Sequence, residues 1–461
     1  MSSDGDRRLS MGQEALWFLY RMAPESAAYN VLLAVRIRTA VDPPRLQRAL
    51  TAVAERHDVL RSTIVDQAGT PVRRIGPADR VRLVVRPTPA EEFTTAARTV
   101  AAEPFRLDRE VPLRAVLLRD GPADAVLVLV THHIASDATS QWLLARDLFR
   151  AYESDGALPP LPGGGFEAAV AAERALLDSD RRPVLERYWR DLCAGVPAAE
   201  LPADRPRPAT PVFRGASHTV WFPDPLADRV RVAARDCGVT PFALLLGALQ
   251  AVLHRYTGLT DFLIGCPVSV RFRRELRDVV GYLANSTVLR AHFDREATFA
   301  STARAAYREV AQAMAHAGFP YPALTALLGP ARSAPVFTVA VTLLAADRLD
   351  PPLPMVPPGE VEGAEVEYAG LRLALLDLPQ MEGQFDVLVE LRTSGTGGLS
   401  AVVKYDANLF EPPTVERFAA AYTRFVEVAA GDPDTLVSRT PLVDPAELRA
   451  LLALGTGGVD S

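Results

Sequence analysis

The chain has 461 residues, 49% apolar and 23% charged, with a formal net charge of -6. That length exceeds one ordinary hydrophobic core and predicts two or three domains. The mild acidity, with no long charge block, excludes a dedicated nucleic-acid or anionic-membrane surface.

Met1-Ser-Ser-Asp-Gly-Asp-Arg-Arg has no apolar segment of signal-peptide type, and no run of about 18 apolar residues predicts a membrane span. Cys193, Cys237 and Cys266 are widely spaced with no CxxC, the pattern of reduced thiols in a cytoplasmic protein. The periodicity then predicts a helix over 10–24, with Ser10 as N-cap and Gln13 three residues on. A strand follows over 30–38, then a helix from Arg45 to Glu55 with Leu46, Leu50 and Val53 on one face. Strands are expected around 61–65, 81–86, 112–119 and 125–130, and a helix over 139–154. Breaker clusters at Leu158-Pro-Pro-Leu-Pro-Gly-Gly-Gly and Leu201-Pro-Ala-Asp-Arg-Pro-Arg-Pro flank helices within 166–193. The second half predicts helices at 226–235 and from Thr240 to Tyr256, and strands at 262–270 and 285–294. It continues with a helix at 297–315, strands at 336–344, 385–391 and 399–405, and a helix at 412–430. The pattern is α+β, in two lobes joined by a stiff proline-rich bridge.

The chemistry concentrates in Thr131-His-His-Ile-Ala-Ser-Asp-Ala-Thr-Ser140, just past the apolar run 125–130. Only seven residues are histidine, and this side chain exchanges protons near neutrality. A histidine held at a strand end can deprotonate an amine or hydroxyl that attacks an acyl group. Asp137 can orient His133 as in a triad, or pair with an arginine and hold the loop. No Gly-x-Ser-x-Gly elbow, HExxH pair or phosphate-binding loop competes. Adjacent histidines diverge and no further His/Cys cluster lies near, so no metal is expected. As a bare charge run, Arg271-Phe272-Arg273-Arg274 reads as a solvated loop.

His-His-Ile-Ala-Ser-Asp-Ala resembles the HHxxxDG signature of nonribosomal peptide synthetase condensation domains, shared with chloramphenicol acetyltransferase-type acyltransferases. Ser10-Met-Gly-Gln-Glu-Ala-Leu-Trp-Phe-Leu and Arg56-His57-Asp-Val-Leu60-Arg61-Ser resemble further motifs of that family. So do the proline-rich stretch, Gly265-Cys-Pro-Val-Ser-Val-Arg271, Val280-Gly281-Tyr-Leu-Ala-Asn285-Ser, His316-Ala-Gly-Phe-Pro320-Tyr and Ala334-Pro-Val-Phe337.

The resemblance implies two chloramphenicol acetyltransferase-like lobes, a pseudo-dimer arranged as a V around a central tunnel. The first would cover 1–175 with the histidine loop, the second 176–461 with the bridge near 200–212. It implies His133 as catalytic base or positioner, His132 as its support, and Asp137 as a structural residue braced by Arg271. The backbone N–H of Ala138 would serve an oxyanion, and Asn285, Ser140 and Trp17 would line the tunnel. The implied reaction joins a thioester-bound acyl or peptidyl donor to the amine, or less readily a hydroxyl, of an acceptor. No cofactor is bound directly. The substrates ride on phosphopantetheine of upstream donor and downstream acceptor carrier proteins, with a fused adenylation domain as a further partner of a monomer. Alternatives are a free-standing acyltransferase using coenzyme A thioesters, and a catalytically silent docking module. Heterocyclising relatives replace both histidines by aspartate, and recruiting relatives degrade the pair; both histidines stand here.

Two positions depart from the family pattern. Ala138 replaces the loop glycine, where a positive φ would cost alanine about 1 kcal/mol or more, and its methyl would narrow the tunnel. Ala15 stands where arginine is usual. Residues 450–461 trail off in Gly-Thr-Gly-Gly, the texture of an interdomain linker and of a piece of a longer synthetase.

Overall fold

The structure is a computed structural model. It describes residues 5–208, 214–329, 334–345, 350–354, 356, 360–376, 378, 384–393, 397–443 and 449. The bridge is therefore followed only to residue 208, and the glycine-rich ending lies outside the described residues. The first half runs β1 Asp6–Arg8, α1 Met11–Met22, β2 Asn30–Ile37, α2 Pro43–Arg56, β3 Ser62–Gln67, β4 Thr70–Ile75, β5 Leu83–Pro87, α3 Phe93–Ala102, β6 Leu113–Arg119, β7 Ala125–His132, α4 Ala138–Glu153, α5 Gly165–Leu177 and α6 Arg182–Cys193. The second runs β8 Gly215–Phe222, α7 Asp224–Asp236, α8 Pro241–Thr257, β9 Asp261–Ser269, β10 Ala284–His292, α9 Phe299–His316, α10 Tyr321–Leu328, β11 Val339–Ala345, β12 Val366–Tyr368, β13 Leu371–Leu375, β14 Val387–Thr393, β15 Leu399–Asp406 and α11 Pro412–Gly431.

Among the described residues two six-stranded sheets form, in the orders β12-β13-β2-β7-β6-β5 and β10-β9-β11-β14-β15-β8, together with a small β1-β4-β3 sheet. β7 lies inside its sheet and all eight of its residues are buried. That explains its unbroken apolar run: a strand covered on both faces has no solvent side to make polar. Each large sheet anchors its own core. One draws on α2, α3, α4 and β7, the other on α7, α8, α9 and α11. α5 gives Phe166 and Val170 to the first core, whereas α6 gives Leu185, Trp189 and Cys193 to the second.

The periodicity located most elements but not their exchange between sheets. β13 leaves the second half of the chain and pairs antiparallel with β2, setting Leu373 against Ile37 and Leu375 against Val35. Glu362 follows it across to accept from Arg36 and Arg38 at 2.9 and 2.8 Å. Local capping chemistry is as read. Ser10 Oγ accepts from Gln13 N–H at 3.2 Å while Gln13 Oε1 accepts from Ser10 N–H, a reciprocal cap. Thr240 caps α8 through Ala243 N–H, with Pro241 in its first turn.

Candidate active site

The histidine loop is three short pieces of local structure. His132 ends β7 opposite Asn30, residues 133–135 make one tight turn, and Asp137 caps α4 by accepting Ser140 N–H at 2.8 Å. The aspartate four residues after His133 thus has a local reason, satisfying an orphan donor at a helix start.

The two imidazoles are held in opposite tautomers. His132 is buried among Tyr20, Tyr29 and Phe105, and its Nδ1 accepts Ile134 N–H at 3.1 Å. Burial, and then the neighbouring His133, lower its pKa to about 3, so it stays neutral with its proton on Nε2. His133 Nδ1 instead lies 2.8 Å from the carbonyl of Ser136. A carbonyl can only accept, so Nδ1 carries a hydrogen, and in the neutral ring the lone pair is on Nε2. The His133 N–H donates to Tyr29 O at 2.8 Å. Gln13 Nε2 adds a bond to Ile134 O at 2.8 Å, tying α1 to the loop.

The loop is locked from the other half of the chain. Arg271 Nη1 donates to Asp137 Oδ2 at 2.8 Å and Leu283 N–H to the same oxygen at 2.9 Å. Arg271 Nη2 donates to Ser140 Oγ at 2.7 Å, and that hydroxyl donates to Gly281 O at 2.8 Å while accepting Gly281 N–H at 3.1 Å. Burial opposes ionisation of Asp137, but Arg271 and these donors outweigh it and hold its carboxyl below the usual range. Arg271 is thus no solvated member of a charge run; its side chain is 6% exposed. Both oxygens of Asp137 accept from groups other than His133, whose Nδ1 is satisfied by Ser136 O.

His133 borders a cavity of about 590 Å³ whose walls include Val31, Leu33, Ala138, Trp142, Leu376 and Leu388, with Glu390, Arg392 and Lys404 also on its lining. A second cavity, about 630 Å³, lies against α1, α5 and α10. The two share Leu16, Tyr29, Tyr282, Ala284, Asn285, Ser286, Met314, Gln384 and Phe385 as common wall.

Not every residue expected at the tunnel is found there. Asn285 lines both cavities, but its amide is occupied: Nδ2 donates to Ala317 O and Phe319 O at 2.9 and 2.7 Å, and Oδ1 accepts Tyr321 N–H at 2.8 Å. Ser140 lines neither cavity, because it is fully buried in the lock. Trp17 also lines neither; it is 8% exposed, in the first core, stacked on Tyr20 at 5.1 Å. Leu16 and Leu19, its neighbours on α1, reach the cavities in its place. Ala138 is the first residue of α4, and among the described residues the positive-φ non-glycine residues are elsewhere, at Ala68, Asp155 and Ala369. The expected strain at 138 is absent. Ala138 does line the cavity. Sequence reasoning missed Tyr29, Tyr282 and the Glu390–Arg392–Lys404 group; a polar residue at alternate positions of a buried strand was the signal for Glu390.

A mixed α/β chain with two such sheets and a strand-end histidine pair has the organisation of an HHxxxD acyltransferase. The chain belongs to the Condensation domain family, which matches residues 4–452. It is 32% identical over 457 residues to a linear gramicidin synthase protein of Brevibacillus parabrevis, covering 96% of this chain and 9% of that protein. It is 34% identical over 461 residues to a probable non-canonical nonribosomal peptide synthetase, CymA, of Salinispora arenicola, covering 97% and 6%. The X-domain from teicoplanin biosynthesis superposes with a TM-score of 0.85 at 25% identity, over 96% of this chain and 99% of that one. The chain spans less than a tenth of the length of those two synthetases. Condensation domains of nonribosomal peptide synthetases catalyse peptide-bond formation by acyl transfer. Among the described residues no single helix is long and apolar enough to cross a membrane.

Proposed function

We propose that this chain transfers an acyl or peptidyl group from a carrier-bound phosphopantetheine thioester to the amine of a second carrier-bound residue, or to a hydroxyl on suitable acceptors. The observation that carries this reading is the tautomer of His133: Nδ1–H is committed to Ser136 O, which leaves Nε2 as the basic atom of a ring on the cavity wall. The acceptor nitrogen bonds to the thioester carbonyl carbon, the C–S bond breaks, and the proton lost by nitrogen passes by way of His133 Nε2 to the departing thiolate. Holding two tethered substrates in the adjoining cavities supplies much of the rate.

Asp137 is the brace in this scheme. The N–H of Ala138, at the first position of α4, has no carbonyl one turn back within the helix and can receive the developing oxyanion. Two lobes divided near residue 175 would form a V, with donor and acceptor carriers entering from opposite faces. No cofactor is needed beyond the carriers' phosphopantetheine. An adenylation domain on the same polypeptide, a monomeric state and a cytoplasmic setting complete the reading. His133→Ala should lower product formation from carrier-bound substrates at least about tenfold. An unchanged rate overturns the base role.

The likeness to the teicoplanin X-domain, which forms a complex with OxyB, favours a second reading as a docking module. That reading expects binding of a partner protein with no turnover of any thioester, with or without carriers.

A further inference from the structure

His133 has its Nδ1 fixed, but a single hydrogen bond leaves the ring free to swing about it. Tyr282 stands against that ring. The two rings meet edge to face, with centroids 5.6 Å apart and planes at 88°, a preferred geometry for such pairs. Tyr282 itself has little freedom. On one side lies α1: a Cβ placed on Gly12 would come 2.6 Å from Tyr282 Cε1, so only glycine leaves room for the ring. Its backbone neighbours are the two residues tied into the lock, Gly281 through both its N–H and C=O to Ser140 Oγ, and Leu283 through its N–H to Asp137 Oδ2. The lock therefore braces both partners of the aromatic contact at once, the loop bearing His133 and the strand entry bearing Tyr282. The same ring lines both cavities, on the wall between them.

We propose that Tyr282 is the positioning residue for His133: its ring, seated against Gly12 and delivered by the Asp137–Arg271–Ser140 lock, holds the imidazole at the wall where the two cavities adjoin. The activity part of this inference rests on His133 as the proton-handling group. The ring does this work and the hydroxyl does not.

The test uses the 461-residue chain with ¹⁵N-labelled histidine, the His133 signal being assigned by its loss in His133→Ala. The wild type should show His133 protonated at Nδ1. Tyr282→Phe should keep that signal, while Tyr282→Leu, and Gly12→Ala by crowding the ring, should keep the Nδ1 proton but move and broaden the His133 signal as the ring samples further orientations. Identical His133 signals in wild type and Tyr282→Leu overturn the inference. With a carrier-bound substrate pair, Tyr282→Leu should lower kcat at least about tenfold with KM within about twofold, and should cost nothing further on top of His133→Ala. A full-sized loss in the His133→Ala background means a general packing defect and also overturns it. If His133→Ala alone leaves turnover unchanged, the functional reading falls, and the nitrogen spectra still decide the role of Tyr282.

Discussion

Asp137 and Arg271 are separated by 134 residues in the chain and meet at 2.8 Å, their side chains 5% and 6% exposed. An ion pair this buried matters less for the energy it adds than for the cost of breaking it. Arg271→Ala leaves a carboxylate buried with only N–H partners, and should destabilise the chain by about 3–5 kcal/mol. Arg271→Lys keeps the charge but loses the fork that reaches Asp137, Ser140 and Val279 together, so its loss should be intermediate. Urea unfolding midpoints order the three proteins, and a lysine variant as weak as alanine would show that geometry decides and charge does not.

Ala138→Gly should bring no stabilisation. The alanine already has helical backbone, so glycine relieves nothing and costs up to about 1 kcal/mol through its greater freedom when unfolded. Thermal melting checks the sign. The variant also enlarges the cavity by one methyl beside His133, so a larger group on the substrate held there should gain relative rate.

Gly281 is a place of close approach. A Cβ there would fall 2.1 Å from Cδ2 of Phe166, a ring in the first core. Gly281→Ala should cost about 1–3 kcal/mol by overpacking, and Phe166→Leu in the same chain should recover part of it. Equal melting temperatures for wild type and Gly281→Ala would contradict the close packing of α5 on the lock.

Acid should destabilise the fold in two overlapping ranges. His132 has its pKa lowered from 6.5 to about 3 by burial and by His133, so the unfolded chain takes up its proton first as pH falls. Its contribution is complete above about 6.5 and is lost toward about 3. Glu390 is buried, which alone would raise its pKa, but Lys404 and Arg392 hold it down to about 2. Its contribution is present above its ordinary value of 4.5 and fades as pH falls toward about 2. The melting temperature should therefore drop steadily below about pH 6.5. His132→Gln should flatten the upper part of that slope and Glu390→Gln the lower part.

Local chemistry was legible wherever it depends on near neighbours. The cap at Ser10 and Gln13, the cap at Thr240, the buried run of β7 and the histidines at its end all follow from residues within a few positions of one another. The Asp137–Arg271 pair was expected only because several motifs along the chain resemble one family; nothing in the spacing of two residues so far apart specifies a contact. β13 looks like any short strand, and its partner, β2, could be chosen only by the tertiary fold.

The roles of the site residues divide along the same line. The chain by itself determined that His133 sits at the mouth of a buried strand, because an apolar run followed by polar residues must end there. It also placed a helix shortly after Asp137, over 139–154, although the role of Asp137 as the cap of that helix came only with the structure. Which nitrogen of His133 is basic, why Ser140 is a lock and not a wall, why Trp17 turns into the core, and why Ala138 carries no strain were decided only in three dimensions. The lock at Ser140 joins separate halves of the chain, whereas the tautomer of His133 turns on Ser136 O three residues away and Trp17 on Tyr20 in the same helix; in each case the sequence records which groups are present but not which of them meet.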